Sequence, residues 1–442
     1  MKETVSPFAV KNVRLFIAFR LFFTARFYYP VFSIIFLDFG LTVSQFALLN
    51  AIWAAVIVVA EVPSGALADT IGRKRLLVAT GAMMVVELFL LCVAPIRGGA
   101  LLFGFFLLNR VLSGLAEASA SGADEALAYD ALKCHGLEKE WPRVLEVQMR
   151  IQSVAFIVAM ILGGLVYDPD VMGRVASWLG LAVTVTQDVT LRIPLILTFI
   201  FGLITLTCAL SMEEPAICST GEAPSTSEAF ARTLAAGRWI LATSFAFKVI
   251  VAGLIFDGVM RMVITLGSQY YRVIGIPEAS FGILGAASAA LGIVIPKISR
   301  YLAENRSPAY NLMFLSIGTL ISLALMSFFP KYAGVIPALV LFSGMGMVAF
   351  FVSHYLNAIA SSDIRATVLS FKGLAWNISY GFLGLLYAVM IAARRKGLSP
   401  ETIQEAGSGI EDLLFMQTFW AFPVLFVGMM GVFCLWLVIK RA

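Results

Sequence analysis

The stretch Gly65-Ala-Leu-Ala-Asp69-Thr-Ile-Gly72-Arg73-Lys74-Arg75 decides the fold of this chain. It is a short polar segment between two long apolar runs, and it combines two glycines, one acid and three consecutive bases. Bases left on one side of a bilayer hold a loop in the cytoplasm. Glycines let the ends of two helices approach closely and turn tightly. An unpaired acid is costly at a membrane boundary, so Asp69 predicts a partner.

The composition of the whole chain is that of an integral membrane protein. Of its 442 residues, 60% are hydrophobic and 13% are charged, and its mean hydropathy is +0.91. In soluble proteins about a quarter of the residues are charged, so this chain has too few charges for a polar exterior. A bilayer core needs about 20 apolar residues per helix. Such stretches are centred near residues 24, 54, 85, 112, 155, 201, 251, 287, 318, 345, 379 and 426.

An even number of membrane helices places both termini on one side. Sorting the Lys and Arg residues by this topology puts about 17 in cytoplasmic segments, about 8 in periplasmic segments and about 7 within helices, which favours cytoplasmic termini. The first apolar segment is too long and too rich in arginine for a cleaved signal peptide and is typical of a first membrane helix. The net charge of +5 follows from this topology and does not indicate nucleic-acid binding.

No spacing of cysteines or histidines predicts a metal site, a disulfide framework or a cofactor. The five cysteines and two histidines are scattered among helices and cytoplasmic loops. The two long periplasmic segments, 167–191 and 396–412, carry no recognisable constellation of residues for a nucleophile, a metal or a cofactor. We therefore expect neither an enzyme nor a metalloprotein.

Three motifs resemble the major facilitator superfamily. The Gly65–Arg75 stretch resembles the loop between its second and third helices, G-x-L-a-D-r-x-G-r-k-r, with Thr70 where Arg is common. In helix four, Arg110-Val-Leu-Ser-Gly114 resembles its R-x-x-x-G element. Asn357 and Arg365-Ala-Thr-Val-Leu-Ser370 resemble a segment frequent in bacterial members. The resemblance implies an all-α membrane fold of twelve transmembrane helices in two pseudo-symmetric six-helix bundles.

The same resemblance implies the domain organisation. We expect an N-terminal bundle over 1–212, a cytoplasmic linker over 213–238 and a C-terminal bundle over 239–442. Residues 217–228 are rich in Ser, Thr, Glu and Pro, which is typical of a flexible segment. In the second half, the counterpart of the opening motif runs from Gly292 to Arg300 and keeps a glycine and bases but lacks the acid. We therefore expect the cytoplasmic ends of the two halves to have unequal roles.

A conformational lock is also implied by the resemblance. Asp130 would pair with Arg73, while Asp69 would cap or pair near the start of helix eleven, close to Arg365. Gly65 and Gly72 complete the motif. The alternative is that the acids simply meet water at the interface.

Charges inside the membrane are candidate sites for coupling to protons. At helical spacing, Arg110, Glu117 and Asp124 lie along one face of helix four, and Arg20 could pair with Glu117 across helices one and four. Glu87 on helix three is a further acid, with a structural role as its alternative. In the superfamily, helices one, four, seven and ten line the central cavity, so we expect Glu117, or else Glu87 or Asp124, to carry the proton.

Cations and aromatic residues provide candidate contacts to a substrate. Arg26 and Lys248 are expected near mid-membrane on helices that are equivalent in the two halves, which would suit an anionic substrate, and structural ion pairing is the alternative. Asp257 and Arg261 are expected to pair with each other. The remaining candidate substrate-binding residues are Arg20, Tyr29, Trp376, Asn377 and Tyr380.

We therefore expect a monomeric secondary transporter that moves a small solute across the inner membrane by alternating access. Coupling to protons is expected, by symport or antiport. An anion exchanger using Arg26 and Lys248 is the first alternative; a lipid flippase and a transport-dead sensor are others. Drug efflux is less favoured because helix five, with Gly163 and Gly164, lacks the proline and earlier glycines of drug antiporters.

Overall fold

The computed structural model of the protein describes the backbone of residues 6–215, 226–360 and 362–439. Within these ranges the side chains at positions 66, 69, 226–230, 232, 233, 236, 362–366 and 408 are not described. Helices make up 86% of the structure, and the described residues contain no strand. Eleven described helices are long and apolar enough to cross a membrane, and a pair of helices bent by 53° provides a twelfth span. The predicted all-α membrane fold is therefore confirmed.

The twelve spans follow one another along the chain with short connections. In order, they are α1 Lys11–Phe39, α2 Val43–Ile71, α3 Arg73–Val93, α4 Gly99–Cys134, α5 Glu138–Tyr167, α6 Gln187–Ser211, α7 Ser244–Thr265 with the bent continuation Gly267–Val273, α8 Glu278–Asn305, α9 Pro308–Met326, α10 Val335–Ile359, α11 Ser362–Lys396 and α12 Ile410–Ile439. Shorter helices outside the spans are Pro169–Trp178, Thr226–Ala242 and Pro400–Ala406. We call the end at which odd-numbered helices begin the inner end, and the opposite end the outer end.

Helix α1 is interrupted in its middle, and this interruption directs the side chain of Arg26 into the first unit. It consists of Lys11–Thr24 and Phe32–Phe39, with a short 3-10 turn around Pro30 between them. Proline lacks an N–H donor and disfavours helical geometry in the residue before it. The backbone N–H of Phe27 has no helical partner in the interruption and donates instead to Oγ1 of Thr198 at 3.1 Å. Arg26 lies in this interruption.

Close approach of α5 to the interruption explains one glycine. A Cβ on Gly163 would overlap the carbonyl oxygen of Phe27. Any larger residue would therefore push α5 away from α1. Gly163 thus serves packing at this point.

Helix α4 is interrupted as well, and this corrects the expected single face of helix four. The helix ends at Ala120 and restarts at Ala123, and Gly122 between them has a φ of +77°. A left-handed residue reorients the following turn. Asp124 therefore does not continue the face that carries Arg110 and Glu117.

The opening motif contains far less loop than the sequence suggests. Helix α2 continues to Ile71, α3 begins at Arg73, and Gly72 between them has a φ of +94°. A Cβ on Gly72 would come within 3.1 Å of the Glu214 carboxylate. The backbone angle requires glycine at position 72, and a side chain there would also crowd this carboxylate.

By its internal contacts the chain divides into two compact units. The first comprises Met1–Pro30 and Val56–Phe230, and the second comprises Val31–Ala55 and Ala231–Ala442. The outer halves of α1 and α2 thus pack within the second unit. The predicted boundaries at residues 212 and 239 stay a prediction.

Inside the second unit, the Val31–Ala55 segment packs tightly on α7 and α11. A Cβ on Gly384 would meet the carbonyl oxygen of Ala47 at 3.3 Å, so the backbones of α2 and α11 lie close together. The hydroxyls of Ser33 and Ser268 are 2.6 Å apart. The outer ends of α1 and α2 are therefore fixed to α7 and α11 within the second unit.

Candidate functional site

The first unit brings together the ion pair expected from the opening motif. Nη1 of Arg73 donates to Oδ2 of Asp130, and both side chains are largely buried. Arg73 is the first residue of α3, and Asp130 lies on the second segment of α4. Asp69 and Arg365, the other expected members of this network, have side chains outside the described set. A Cβ on Gly65 would meet nothing within 4 Å, so this conformation provides no packing reason for that glycine.

Glu214 completes this region and escaped the sequence analysis. Its carboxylate accepts hydrogen bonds from the backbone N–H groups of Arg73, at 3.0 Å, and Lys74, at 2.8 Å. It therefore caps the N-terminus of α3, where the first N–H groups lack partners within the helix. The neighbouring Glu213 pairs with Lys11 at 2.5 Å, and this ammonium holds the pKa of the Glu213 carboxyl below its ordinary value.

A sealed group of polar side chains, the Arg26 cluster (Arg26, Tyr28, Glu87, Asn109 and Arg110), lies inside the first unit. Nη1 of Arg26 donates to Oε1 of Glu87 at 2.7 Å, and these side chains are 3% and 0% exposed. Nδ2 of Asn109 donates to Oε2 of Glu87 at 2.6 Å. The carboxylate of Glu87 is therefore hydrogen-bonded through both oxygens to protein groups.

Two further contacts complete the Arg26 cluster. Nη1 of Arg26 donates to the Tyr28 hydroxyl at 2.9 Å, and Nε of Arg110 donates to Oδ1 of Asn109 at 2.9 Å. Tyr29 lies at its edge, half exposed, with its ring edge-on to that of Tyr28. Arg26 and Glu87, which the sequence analysis assigned to substrate and to protons separately, thus neutralise each other.

Glu117 stands apart from this cluster. Its side chain is exposed although it lies on a membrane-spanning helix. Within the described part of the chain its carboxylate has no hydrogen bond and no ion pair. An acid with no protein partner inside a membrane span must face water.

The expected pairing of Arg20 with Glu117 is wrong. Nη2 of Arg20 donates to Oδ1 of Asp124 at 2.9 Å and approaches Oε1 of Glu125 at 3.2 Å. The interruption of α4 at Gly122 is the reason, because it turns the following acids toward α1. Asp124 is fully buried in this pair, which leaves Glu117 without a cation.

The second unit contains a half-open group, the Arg261 cluster (Asp257, Arg261, Lys372, Trp376, Asn377 and Tyr380). Asp257 and Arg261 form the expected pair one turn apart on α7, with Nη2 and Oδ2 2.5 Å apart. Nη1 of Arg261 donates to Oδ1 of Asn377 at 2.9 Å, and its guanidinium lies 5.3 Å from the centre of the Tyr380 ring. The guanidinium is thus held on three sides, while 22% of the side chain stays exposed.

Lys372 and Trp376 extend the Arg261 cluster along α11. Nζ of Lys372 lies 4.9 Å from the centre of the Trp376 ring, a typical cation–π contact. Nε1 of Trp376 is buried and has no hydrogen-bond partner among the described residues. Tyr380 donates to Oγ1 of Thr265 at 3.2 Å. One acid and two cations therefore lie on two neighbouring helices, while the indole N–H of Trp376 is buried against Gly253.

Comparison with known families decides what kind of protein has this geometry. The family model of the Major Facilitator Superfamily matches residues 15–385, which is most of the chain. The chain belongs to this superfamily. It is therefore a multi-pass membrane transporter and not an enzyme. No curated protein sequence matches the chain.

Solved structures of other superfamily transporters share the fold. A mutant of the nucleoside transporter NupG superposes with a TM-score of 0.71 at 13% identity, covering 96% of this chain and 99% of that one. A bacterial homologue of the human lysosomal transporter Spinster, inward-facing and unoccupied, has a TM-score of 0.70 at 17% identity, with 98% and 97% covered. The xylose transporter XylE from E. coli has a TM-score of 0.61 at 11% identity, with 96% of each chain covered. At these identities the likeness extends to the fold alone.

Lys248 lies away from the Arg261 cluster of this superfamily member. It lines a separate cavity with Phe245, Val249 and Tyr355 at the inner end of the second unit. In the part of the chain that is described, its ammonium has no hydrogen bond or ion pair. The sequence could not place it, because hydropathy fixes the depth of a residue and not the direction in which it points.

The outer end of the second unit contains an ion-pair network that the sequence analysis missed. Nη1 and Nη2 of Arg272 donate to the two carboxylate oxygens of Asp38, at 2.7 and 2.6 Å. Nε of Arg272 also donates to Oε1 of Glu278 at 2.7 Å. Asp38 lies in the last turn of α1 and Arg272 lies on the bent continuation of α7, so no local spacing could have predicted the pair.

Proposed function

We propose that this superfamily member is a proton-coupled secondary transporter of a small polar solute that carries a negative charge. The observation that supports it is the unequal state of the membrane acids. Glu87, Asp124 and Asp257 each pair with an arginine. Glu117 and Glu61 both lack a side-chain partner in the described structure, and Glu117 is the more exposed of the two, so we assign the exchange of a proton with water during transport to Glu117.

The chemistry of the solute follows from the Arg261 cluster. Asp257 contributes one negative charge, while Arg261 and Lys372 contribute two positive charges, so the cluster carries a net charge of about +1 and favours an anionic group. A guanidinium oriented by neighbours is pre-organised for a carboxylate or a phosphate. A hydroxylated organic anion fits these donors.

Alternating access supplies the transport cycle in this proposal. In this cycle the Asp38–Arg272 pair and the Ser33–Ser268 contact, which lie within the second unit, break when the outer end opens. In the other half of the cycle we propose that the Arg73–Asp130 pair, with Asp69 and the start of α11 near Arg365, closes the inner end. The protein lies in the cytoplasmic membrane as a monomer with both termini inside, consistent with the distribution of its bases.

An anion exchanger that uses Arg26 and Lys248 has less support. Glu87 already neutralises Arg26 within a sealed cluster, so this guanidinium has no free charge to offer a solute. Lipid flipping and a sensor role have no specific observation in their favour.

The first experiment identifies the solute. Purified protein is screened by thermal shift against hydroxylated carboxylates and sugar phosphates, with nucleosides and pentoses included because structurally similar transporters carry the names of such substrates. A ligand present at 100 times its dissociation constant adds about 2.7 kcal/mol to the stability of the folded state. We expect anions to stabilise the protein more than the neutral compounds do.

The second experiment tests the proton site in proteoliposomes with the identified ligand. We expect Glu117→Gln to abolish accumulation driven by a pH gradient while leaving counterflow intact, because counterflow needs no net proton movement. Glu146→Gln is the matched control, since Glu146 forms only an exposed pair with Arg150 on α5. Unchanged gradient-driven accumulation in Glu117→Gln would exclude this residue as the proton site.

A further inference from the structure

The cavity that contains Lys248 lies inside the second unit and has a volume of about 330 Å³. It is bounded by the beginnings of α7 and α9 and by the final turns of α10 and α12, which are all inner ends. Its mouth is formed by exposed residues, Phe245 and Ser307–Ala309. A cavity that opens at the inner ends of four membrane helices is level with the inner leaflet of the bilayer.

Most of the cavity wall is apolar and suits a hydrocarbon chain. The buried part of the wall consists of Phe256, Leu315, Val348, Phe351, Val352 and Phe433. Such a wall binds by hydrophobic burial, at about 0.8 kcal/mol for each CH₂ group removed from water. A small hydrophilic solute would leave it unfilled.

Three polar features converge on the same cavity. Lys248 has no acid partner in the described part of the chain. The N-terminus of α9 begins at Pro308, where backbone N–H groups favour an anion. Asn311 is 1% exposed and lines the cavity. Its Nδ2 donates to the Tyr355 hydroxyl at 2.8 Å, but its Oδ1 is buried with no partner among the described residues.

A ligand that satisfies these features carries an anionic group, a hydrogen-bond donor and a hydrocarbon chain. A phosphate would pair with the ammonium of Lys248 and the N-terminus of α9. A hydroxyl beside the phosphate would donate to Oδ1 of Asn311, a buried acceptor that is costly to leave unpaired. An acyl chain would fill the apolar wall. A glycerophospholipid whose head group carries free hydroxyls combines all three.

We propose that this cavity is a binding site for an anionic glycerophospholipid of the inner leaflet, with Lys248 as its phosphate contact. Basic pockets between membrane helices on the cytoplasmic side are suited to anionic head groups. The site is separate from the Arg261 cluster, so the bound lipid is a resident of the second unit and not the transported solute.

Native mass spectrometry of the delipidated full-length protein tests this proposal. The probes are phosphatidylglycerol and phosphatidylcholine with identical acyl chains. The wild-type protein is expected to retain phosphatidylglycerol at least about fivefold better, the ratio that corresponds to roughly 1 kcal/mol for one lysine near a lipid phosphate. Equal retention of the two lipids would overturn the proposal.

Variants separate the head-group contact from the apolar wall. Lys248→Gln should abolish the preference for phosphatidylglycerol, Lys248→Arg should keep it, and Ala252→Leu, which narrows the cavity, should weaken retention of both lipids. Lys297→Gln is the matched control, because Lys297 is exposed on α8 and does not line the cavity. A Lys248→Gln variant that retains the wild-type preference would contradict the assignment.

Inorganic phosphate is the final probe and distinguishes a lipid from a free anion. Millimolar phosphate should leave lipid retention unchanged, because the acyl chain supplies most of the binding. If phosphate alone displaces the lipid from the wild-type protein but not from Lys248→Gln, the cavity is a site for small anions and the lipid assignment is wrong.

Discussion

The Arg26 cluster and the Arg261 cluster are each built around an arginine–carboxylate pair. Their arginines lie on α1 and α7, helices that are expected to be equivalent in the two halves. They differ in how far the arginine is sealed. Arg26 is 3% exposed and its partner Glu87 is completely buried. Arg261 is 22% exposed, and its remaining contacts hold the guanidinium without covering it. We propose from this difference that the first cluster stabilises its bundle and the second binds the solute.

The largest expected effect is on the stability of the sealed cluster. Arg26→Met leaves the Glu87 carboxylate buried without a cation, and breaking such a pair costs about 3–5 kcal/mol. We expect the free energy of unfolding, measured by denaturant titration in detergent micelles, to fall by this amount. The double variant Arg26→Met/Glu87→Gln should recover a large part of it, because no charge is then left buried. A stable single variant would show that the cluster is not structural.

The second effect concerns the affinity of the half-open cluster for the solute. Arg261→Lys keeps a cation beside Asp257 but loses the planar fork that donates to Asn377 and to an anion. A hydrogen bond to a charged group is worth about 1.5–3 kcal/mol, so we expect at least about a tenfold increase in Kd. Scintillation proximity binding of the ligand found in the screen measures it. If Arg261→Lys binds the ligand with the affinity of the wild type, the solute does not bind at the Arg261 cluster.

A smaller effect is expected from the unpaired indole. Trp376→Phe removes an N–H that has no partner among the described residues, so the protein should unfold at the same denaturant concentration. If the solute accepts a hydrogen bond from this group, Kd should rise by about 2- to 12-fold, corresponding to about 0.5–1.5 kcal/mol. A loss of stability with unchanged Kd would instead make Trp376 a packing residue.

The smallest effect should come from Tyr380. Tyr380→Phe removes the hydrogen bond to Thr265 but keeps the ring beside the Arg261 guanidinium. The free energy of unfolding should fall by about 1 kcal/mol, and Kd should change by less than about twofold because the cation–π contact remains. A larger change in Kd would mean that the hydroxyl itself contacts the solute.

The fold could be predicted from the sequence because hydropathy and the Gly65–Arg75 motif each specify membrane helices and their order. Local spacing also predicted the Asp257–Arg261 pair, since residues four apart on a helix are neighbours. The Arg26–Glu87 pair could not be predicted in this way. Its partners lie on different helices, and a sequence shows the depth of each residue but not the rotation of each helix.

The incorrect Arg20–Glu117 pairing has a local cause. A continuous helix four would place Glu117 and Asp124 on one face, and only the left-handed Gly122 turns Asp124 toward Arg20. A glycine in an apolar segment indicates neither its φ nor a helix break. The same limit applies to Glu214, whose role as a cap on α3 depends on a contact between segments 140 residues apart in the chain.

Equilibrium binding to Arg26→Lys and Arg261→Lys, measured side by side with one labelled ligand, tests the central claim most directly. Both substitutions keep the positive charge and remove the planar fork. If the solute binds at the Arg261 cluster, Arg261→Lys should bind at least about tenfold more weakly than wild type, while Arg26→Lys should bind with the Kd of wild type once folded. Wild-type affinity in Arg261→Lys together with weakened binding in Arg26→Lys would contradict the account.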